Sequence, residues 1–102
     1  MSAPKRAVVL SPEAQVDYDD ILLYSLLTWG DDQMRQYQIA LDQAIDHLVQ
    51  YPEFGERRDD LCAGCRFLPV ERHVVCYRIE TDAIQIVRII HRRADAARYL
   101  PR

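Results

Sequence analysis

SPEAQVDYDDILLYSLLTWGDDQMRQYQIALDQAIDHLVQYP, residues 11–52, decides the fold, because it spells out two helices and the points at which each must stop. Ser11 can cap the first helix, Pro12 suits its first position, and Glu13 favours the positive end of its dipole. From there Ala14, Tyr18, Ile21, Leu22, Ser25 and Trp29 recur at three- and four-residue steps and form one face. Asp17, Asp19 and Asp20 fall in other directions and are expected to meet water. Gly30 ends the helix, as glycine does where the chain must turn left-handed. Asp31 or Asp32 then caps a second helix with a stripe of Met34, Tyr37, Leu41, Ala44, Ile45 and Leu48. Pro52 closes it, since proline disfavours helix in the residue before it and cannot continue the ladder itself. Two helices joined by so short a link must be antiparallel neighbours.

Outward from this hairpin the pattern is β. Upstream, Ala7-Val8-Val9-Leu10 reads as a strand buried on both faces. Downstream, the charged segment Glu53 to Asp60, with Gly55, reads as a connecting loop. Cys65 to Leu68 is a candidate strand and Pro69 to Arg72 a turn. His73 to Ile79 and Ala83 to His91 are β-branched runs separated by the polar turn Glu80-Thr81-Asp82, an antiparallel meander. Arg92 to Arg102 is a basic tail with one helical turn. The order β-α-α-β-β-β predicts a two-layer α+β domain spanning residues 1–102, with the helical hairpin on one face of a mainly antiparallel sheet. The first strand is expected to join the C-terminal meander, because a lone strand has no ladder partner.

The 102 residues are 49% hydrophobic and 28% charged, an ordinary globular balance. No apolar run approaches the roughly 20 residues that cross a bilayer, and the four apolar residues after Met1–Arg6 are too few for a signal-peptide core, which predicts a cytoplasmic protein with no membrane partner. Three cysteines without a secretory signal are expected to be reduced thiols. The net charge of -3, with pI near 5.5, argues against a general nucleic-acid binder. Its distribution is uneven: residues 1–60 carry 5 Lys/Arg and 12 Asp/Glu, residues 61–102 carry 8 Arg and 4 Asp/Glu. An acidic half and a basic half suggest different partners for each.

Few residues suggest chemistry on their own. Cys62-Ala63-Gly64-Cys65 is a lone C-x-x-C; zinc needs four ligands, and nothing in the spacing requires Cys76, His73 or His91 to complete them, so no metal and no cofactor are expected. Asp42 and Asp46 share a helix face with no third ligand beside them, which reads as a solvated acidic surface. The basic set Arg66, Arg72, Arg78, Arg88, Arg92 and Arg93, with His91, lies on the sheet and its exit. Strict alternation would place Arg78 with Val74 and Cys76, and Arg88 with Ile86 and Ile90, at the edges of a solvent-facing surface.

Taken in order, these residues resemble a known group. Leu10-Ser11-Pro12-Glu13-Ala14 with Asp17, Ile21 and Tyr24, then Trp29-Gly30 with Tyr37 and Leu41, resemble the helical hairpin of the ParE/RelE toxin superfamily. Pro52, Gly55 and Arg57 follow as in its loop, and Leu61, Gly64 and Arg66 as in its Leu-x-x-Gly-x-Arg entry to the sheet. Tyr77-Arg78 and Ile86 to Asp95, with His91-x-Arg93-x-Asp95, are similar to its last strands. The resemblance implies a toxin of a toxin–antitoxin pair that forms a hetero-oligomer with a cognate antitoxin. It implies two target classes. ParE-like members poison DNA gyrase without being enzymes, with His91, Arg92 and Arg93 as the expected contact residues and no catalytic residue. RelE-like members cleave mRNA on the ribosome, and Arg66, Arg78, His91 and Tyr99 would then supply the acid–base and charge-stabilising groups. The low charge, the Trp-Gly turn and the terminal His-x-Arg-x-Asp favour the ParE-like branch. A third possibility is an inactive relic that only binds antitoxin.

Overall fold

In the computed structural model, which describes residues 6–101, the first helix begins where its cap lies: the Ser11 Oγ accepts the Ala14 N–H at 3.0 Å, and α1 runs Pro12–Trp29. Residues 1–5 and Arg102, at the two ends of the expected domain, lie outside the described residues. Gly30, with φ 94°, is at once the C-cap of α1 and the N-cap of α2 (Asp31–Gln50), so the second helix starts without the side-chain cap expected from Asp31 or Asp32. A left-handed φ is open to glycine at little cost, and that single residue reverses the chain. A 3-10 turn, Pro52–Phe54, follows α2 directly.

The strands are β1 (Ala7–Leu10), β2 (Glu56–Arg57), β3 (Cys65–Val70), β4 (His73–Ile79) and β5 (Ala83–His91), in the sheet order β1-β5-β4-β3-β2. All neighbours are antiparallel except β1 and β5, which run parallel from Ala7 beside Ala83 to Leu10 beside Ile86. The fold is therefore the expected α+β arrangement, with two helices against one mixed sheet. Two local readings change. The segment expected to be pure loop contributes β2, because Glu56 and Arg57 pair with Phe67 and Arg66. β3 also runs through Pro69 and turns only at Glu71-Arg72. Proline is tolerated there because β2 does not reach that far and leaves an edge unpaired.

β1 is not buried on both faces: its burial alternates between exposed and half-buried, and Val9 is 43% exposed. It is an edge strand, so only β5 and the helical layer cover it. Past Leu10 the edge of β5 passes to α1. The Ser11 N–H donates to the Ile86 carbonyl at 2.9 Å, the Ser11 hydroxyl to the Val87 carbonyl at 2.7 Å, and the Ile89 N–H to Asp17 Oδ2 at 3.0 Å.

Apolar residues pack on both faces of the sheet. On the helix side Ala14, Leu41, Ile45 and Leu48 meet Val75, Tyr77, Ile84, Ile86 and Ile89. The opposite side holds a smaller cluster of Cys62, Cys65, Cys76, Val87, Ile90 and Leu100. A bulge separates them: Tyr77 pairs with Ile86 but Cys76 with Arg88, so Val87 is an extra residue and the alternation of β5 resets. This corrects the placement of Arg88 with both Ile86 and Ile90. Ile86 and Ile89 face the helices, while Val87 and Ile90 face the tail.

The expectation of free thiols at residues 62 and 65 is also corrected, since Cys62 and Cys65 are bonded to each other. The turn before β3 brings their Cα atoms to 5.1 Å, inside the range a disulfide spans. Cys76 is a free, buried thiol.

Candidate functional site

Where the tip of the helical hairpin meets the β3–β4 turn, a groove of about 620 Å³ opens. Its helical wall carries Tyr24, Trp29 and Tyr37; its sheet wall carries Arg72, His73 and His91. An antiparallel meander turning at residues 80–82 must place the start of β4 opposite the end of β5, and His73 accordingly pairs with His91, ring centroids 5.4 Å apart. The turn points to this end of the sheet, but a straight count from Ile79 opposite Ile84 would set His73 opposite Ile90; the bulge at Val87 moves the pairing to His91.

Tyr37 joins the two walls. Its hydroxyl accepts the Arg72 N–H at 3.2 Å and lies 2.5 Å from His73 Nδ1. With the Arg72 amide already donating to it, the hydroxyl proton is best used on His73 Nδ1, which makes that nitrogen the unprotonated one. Burial pushes the His73 pKa down to about 4, and the neighbouring His91 and Arg72 add to the effect. His73 is therefore a neutral ring at ordinary pH. Burial likewise raises the Tyr37 phenol.

Trp29 was expected on the apolar face of the first helix. It is instead 54% exposed, with the Arg72 guanidinium 5.1 Å from its ring centroid, a cation–π contact. Tyr24 beside it is 65% exposed. His91, Arg92 and Arg93 are all exposed at the exit of β5. His91 lines the groove, and its Nδ1 accepts the Arg93 N–H at 3.1 Å. The Arg92 N–H donates to the Arg72 carbonyl, and its guanidinium to the Glu71 carbonyl at 3.2 Å. The expected target-binding residues thus adjoin an aromatic groove that periodicity did not reveal. Tyr37 looked like core from its place in the stripe, and Arg72 and His73 had no pattern of their own.

The alternative catalytic set is spread over the molecule. Arg66 pairs across the strand with Tyr77, which faces the helices, and donates to the carbonyls of Glu53 at 3.1 Å and Gly55 at 2.8 Å. Arg78 pairs with Cys65, which belongs to the opposite face. Tyr99 is in the tail, its ring 5.3 Å from the Arg88 guanidinium and its carbonyl accepting from it at 3.3 Å. Arg78 and Tyr99 share a second cleft of about 410 Å³ with Arg88 and Arg98. His91 lies six residues along β5 from Gln85, the strand partner of Arg78, roughly 20 Å at the rise of an extended chain.

The largest departure from the sequence reading is Asp17. Rather than facing water, it receives both the Nε (2.7 Å) and Nη2 (2.8 Å) of Arg88 as well as the Ile89 N–H. The carboxylate raises the Arg88 pKa in turn. No helix is long and apolar enough to cross a membrane among the described residues.

Comparison with known proteins gives the family. Residues 8–96 match the model of a family described as ParE toxin of type II toxin-antitoxin system, parDE. The chain is 36% identical over 93 residues to Toxin ParE1 of Mycobacterium tuberculosis (strain ATCC 25618 / H37Rv), covering 90% of this chain and 95% of that one. It is 34% identical over 91 residues to Toxin ParE1 of Caulobacter vibrioides, covering 89% and 94%, and 30% identical over 90 residues to Toxin ParE of Escherichia coli, covering 87% of each. A solved structure of the chromosomal ParDE TA system from P. aeruginosa has the same fold, with a TM-score of 0.73 at 21% identity over 85% of this chain and 96% of that one.

Proposed function

Because the chain belongs to the ParE toxin family of type II toxin–antitoxin systems, we propose that it acts by binding DNA gyrase and is neutralised by a cognate antitoxin. The observation that carries this reading is the end of β5, where His91, Arg92 and Arg93 stand exposed beside the Trp29–Tyr37 groove. Exposed aromatic residues with arginines around them are the usual anchors of a protein interface. The dispersed Arg66, Arg78, His91 and Tyr99 lack the convergence on one phosphate that RNA cleavage would need. The antitoxin's role follows from the same surface. A segment that folds on the toxin can lay apolar anchors in the groove and acidic side chains against Arg72, Arg92 and Arg93.

Purified toxin added to gyrase in a supercoiling assay without ribosomes should inhibit it or trap it on cleaved DNA. Replacing Arg92 and Arg93 with alanine should weaken that effect about tenfold or more, with thermal stability unchanged because neither side chain is buried. Cleavage of mRNA in the ribosomal A site with gyrase unaffected would replace this reading by the nuclease one. Antitoxin binding with neither activity would identify an inactive relic.

A further inference from the structure

The Cys62–Cys65 bond and the residues around it lie outside the groove proposed for target binding, yet they form an organised unit. Three local hydrogen bonds shape the turn that carries both cysteines: Cys65 N–H to the Cys62 carbonyl at 2.9 Å, Arg58 N–H to the Cys65 carbonyl at 2.8 Å, and Gly64 N–H to Asp59 Oδ1 at 2.9 Å. Gly64, at φ 74°, takes the left-handed step the turn requires. Backbone geometry alone thus holds the two Cα atoms within disulfide range. Arg78 stands on the neighbouring strand directly opposite Cys65; its Nε has no hydrogen-bond acceptor, and its one ionic partner among the described residues is Glu80, at a loose 3.9 Å. Such a cation can serve as counter-charge to a thiolate, the form of cysteine that exchanges.

We propose that Cys62 and Cys65 are a thiol–disulfide exchange site that takes a low-molecular-weight disulfide such as oxidised glutathione as co-reactant, and that the state of their bond sets how firmly the C-terminal tail sits on the sheet. Cys62 lies in the turn, outside the ladder that holds Cys65 in β3, and is the residue reached first when the turn opens locally. Its thiolate attacks one sulfur of the small disulfide and releases one thiolate, leaving a mixed disulfide. The Cys65 thiolate then attacks the Cys62 sulfur and releases the second. Two electrons pass from the cysteine pair to the co-reactant, and the two thiol protons end on the released thiols. Cys76 stays out of this exchange: burial pushes its thiol up to about 12, so it remains protonated.

Packing links the bond to the tail. Both sulfurs lie in the cluster with Cys76 and Leu100, on the face away from the helices. Reduction replaces a bond of about 2.05 Å by a non-bonded separation of about 3.5–4 Å. A close-packed cluster cannot absorb that expansion without moving a neighbour. The sheet is held by its ladders; the turn at residues 58–64 and Leu100 are not. Leu100 follows Tyr99, whose ring and carbonyl both engage Arg88, so a shift at Leu100 is passed on to the contacts that seat the tail.

The test uses the full chain alone, so its outcome is independent of the gyrase reading. The protein is equilibrated with graded mixtures of reduced and oxidised glutathione, then denatured and alkylated, and its free thiols are counted by mass. The proposal expects three modified cysteines at the reducing end, one at the oxidising end, and a single two-electron transition between. Amide hydrogen exchange at Tyr99 and Leu100 should be about tenfold faster in the reduced protein, a local opening rather than global unfolding. Arg78→Gln should move the transition to a more reducing mixture, and C62S/C65S should show fast tail exchange at every ratio. Should that double variant fail to fold, the wild-type measurements decide by themselves. Three free thiols in every mixture, or a transition that leaves tail exchange unchanged, would overturn the proposal.

Discussion

Asp17 shows how much one side chain can hold. With side-chain exposures of 13% and 22%, Asp17 and Arg88 form a mostly buried, two-point ion pair, and the same carboxylate takes the orphan Ile89 N–H at the unpaired edge of β5. Removing one partner of such a pair leaves the other desolvated and unsatisfied, which costs more than a surface bridge contributes. Asp17→Asn should therefore destabilise the fold by about 2–3 kcal/mol, whereas Asp59→Asn, at the exposed Arg57 bridge, should cost clearly less; urea denaturation of both variants compares them directly. His73 gives a pH dependence of definite sign. Its folded pKa of about 4 lies below the ordinary 6.5 because burial disfavours the charged ring; His91 and Arg72 add to this, and Asp17 opposes it. The unfolded chain binds a proton there that the folded one refuses. Its contribution is thus fully present above pH 6.5 and is lost as pH falls towards 4. Thermal melts over that window should show Tm falling, and His73→Gln should flatten the fall. An equal slope in the variant would assign the effect to other groups.

At the scale of elements, the N-terminus of α1 serves as cap and clasp together. Ser11 satisfies the Ala14 N–H and fastens the helix to Val87 through its own proton. Ser11→Ala should cost about 1–2 kcal/mol from the cap alone, and it should also raise amide exchange along β5 from Val87 to Ile89. A loss confined to the helix would show that the clasp contributes nothing. These elements were largely legible: the cap, Gly30, Pro52 and the bounds of β4 and β5 stood in the sequence as local chemistry. What could not be read depended on distant parts of the chain. Asp17 looks like any solvated aspartate until a strand 71 residues away supplies Arg88. Alternation was followed straight through Val87 because a bulge is invisible until the partner strand shows its register. The C-x-x-C spacing allowed a bond, but only the turn at Gly64 brought the two residues close enough. The candidate groove was half legible: His91, Arg92 and Arg93 lay on the last strand's exit, while Tyr37, Arg72 and His73 needed the register of β4 on β5 and the docking of α2.

Over the whole molecule, the two faces of the sheet are covered very differently. One carries a helical layer with a continuous core, the other a turn and a tail meeting over six buried residues. Leu100, 6% exposed, is the tail's sole residue buried in that second cluster among the described residues. Leu100→Ala should cost about 2–4 kcal/mol and expose the cluster of Val87 and Ile90, seen as binding of a hydrophobic dye before the main thermal transition. A variant that melts in one step without dye binding would mean that the tail is not independently seated. The pairing of β1 with β5 has a consequence for synthesis. Ala7 sits beside Ala83, so among the described residues β1 finds its ladder partner in a strand made more than seventy residues later. Until then the helical hairpin can form from local contacts, but its apolar stripe has no sheet to lie on, and a pairing this far apart along the chain is slow to close. The growing chain therefore passes through an interval in which the apolar stripe of its hairpin stands uncovered, waiting for the strand that will roof it.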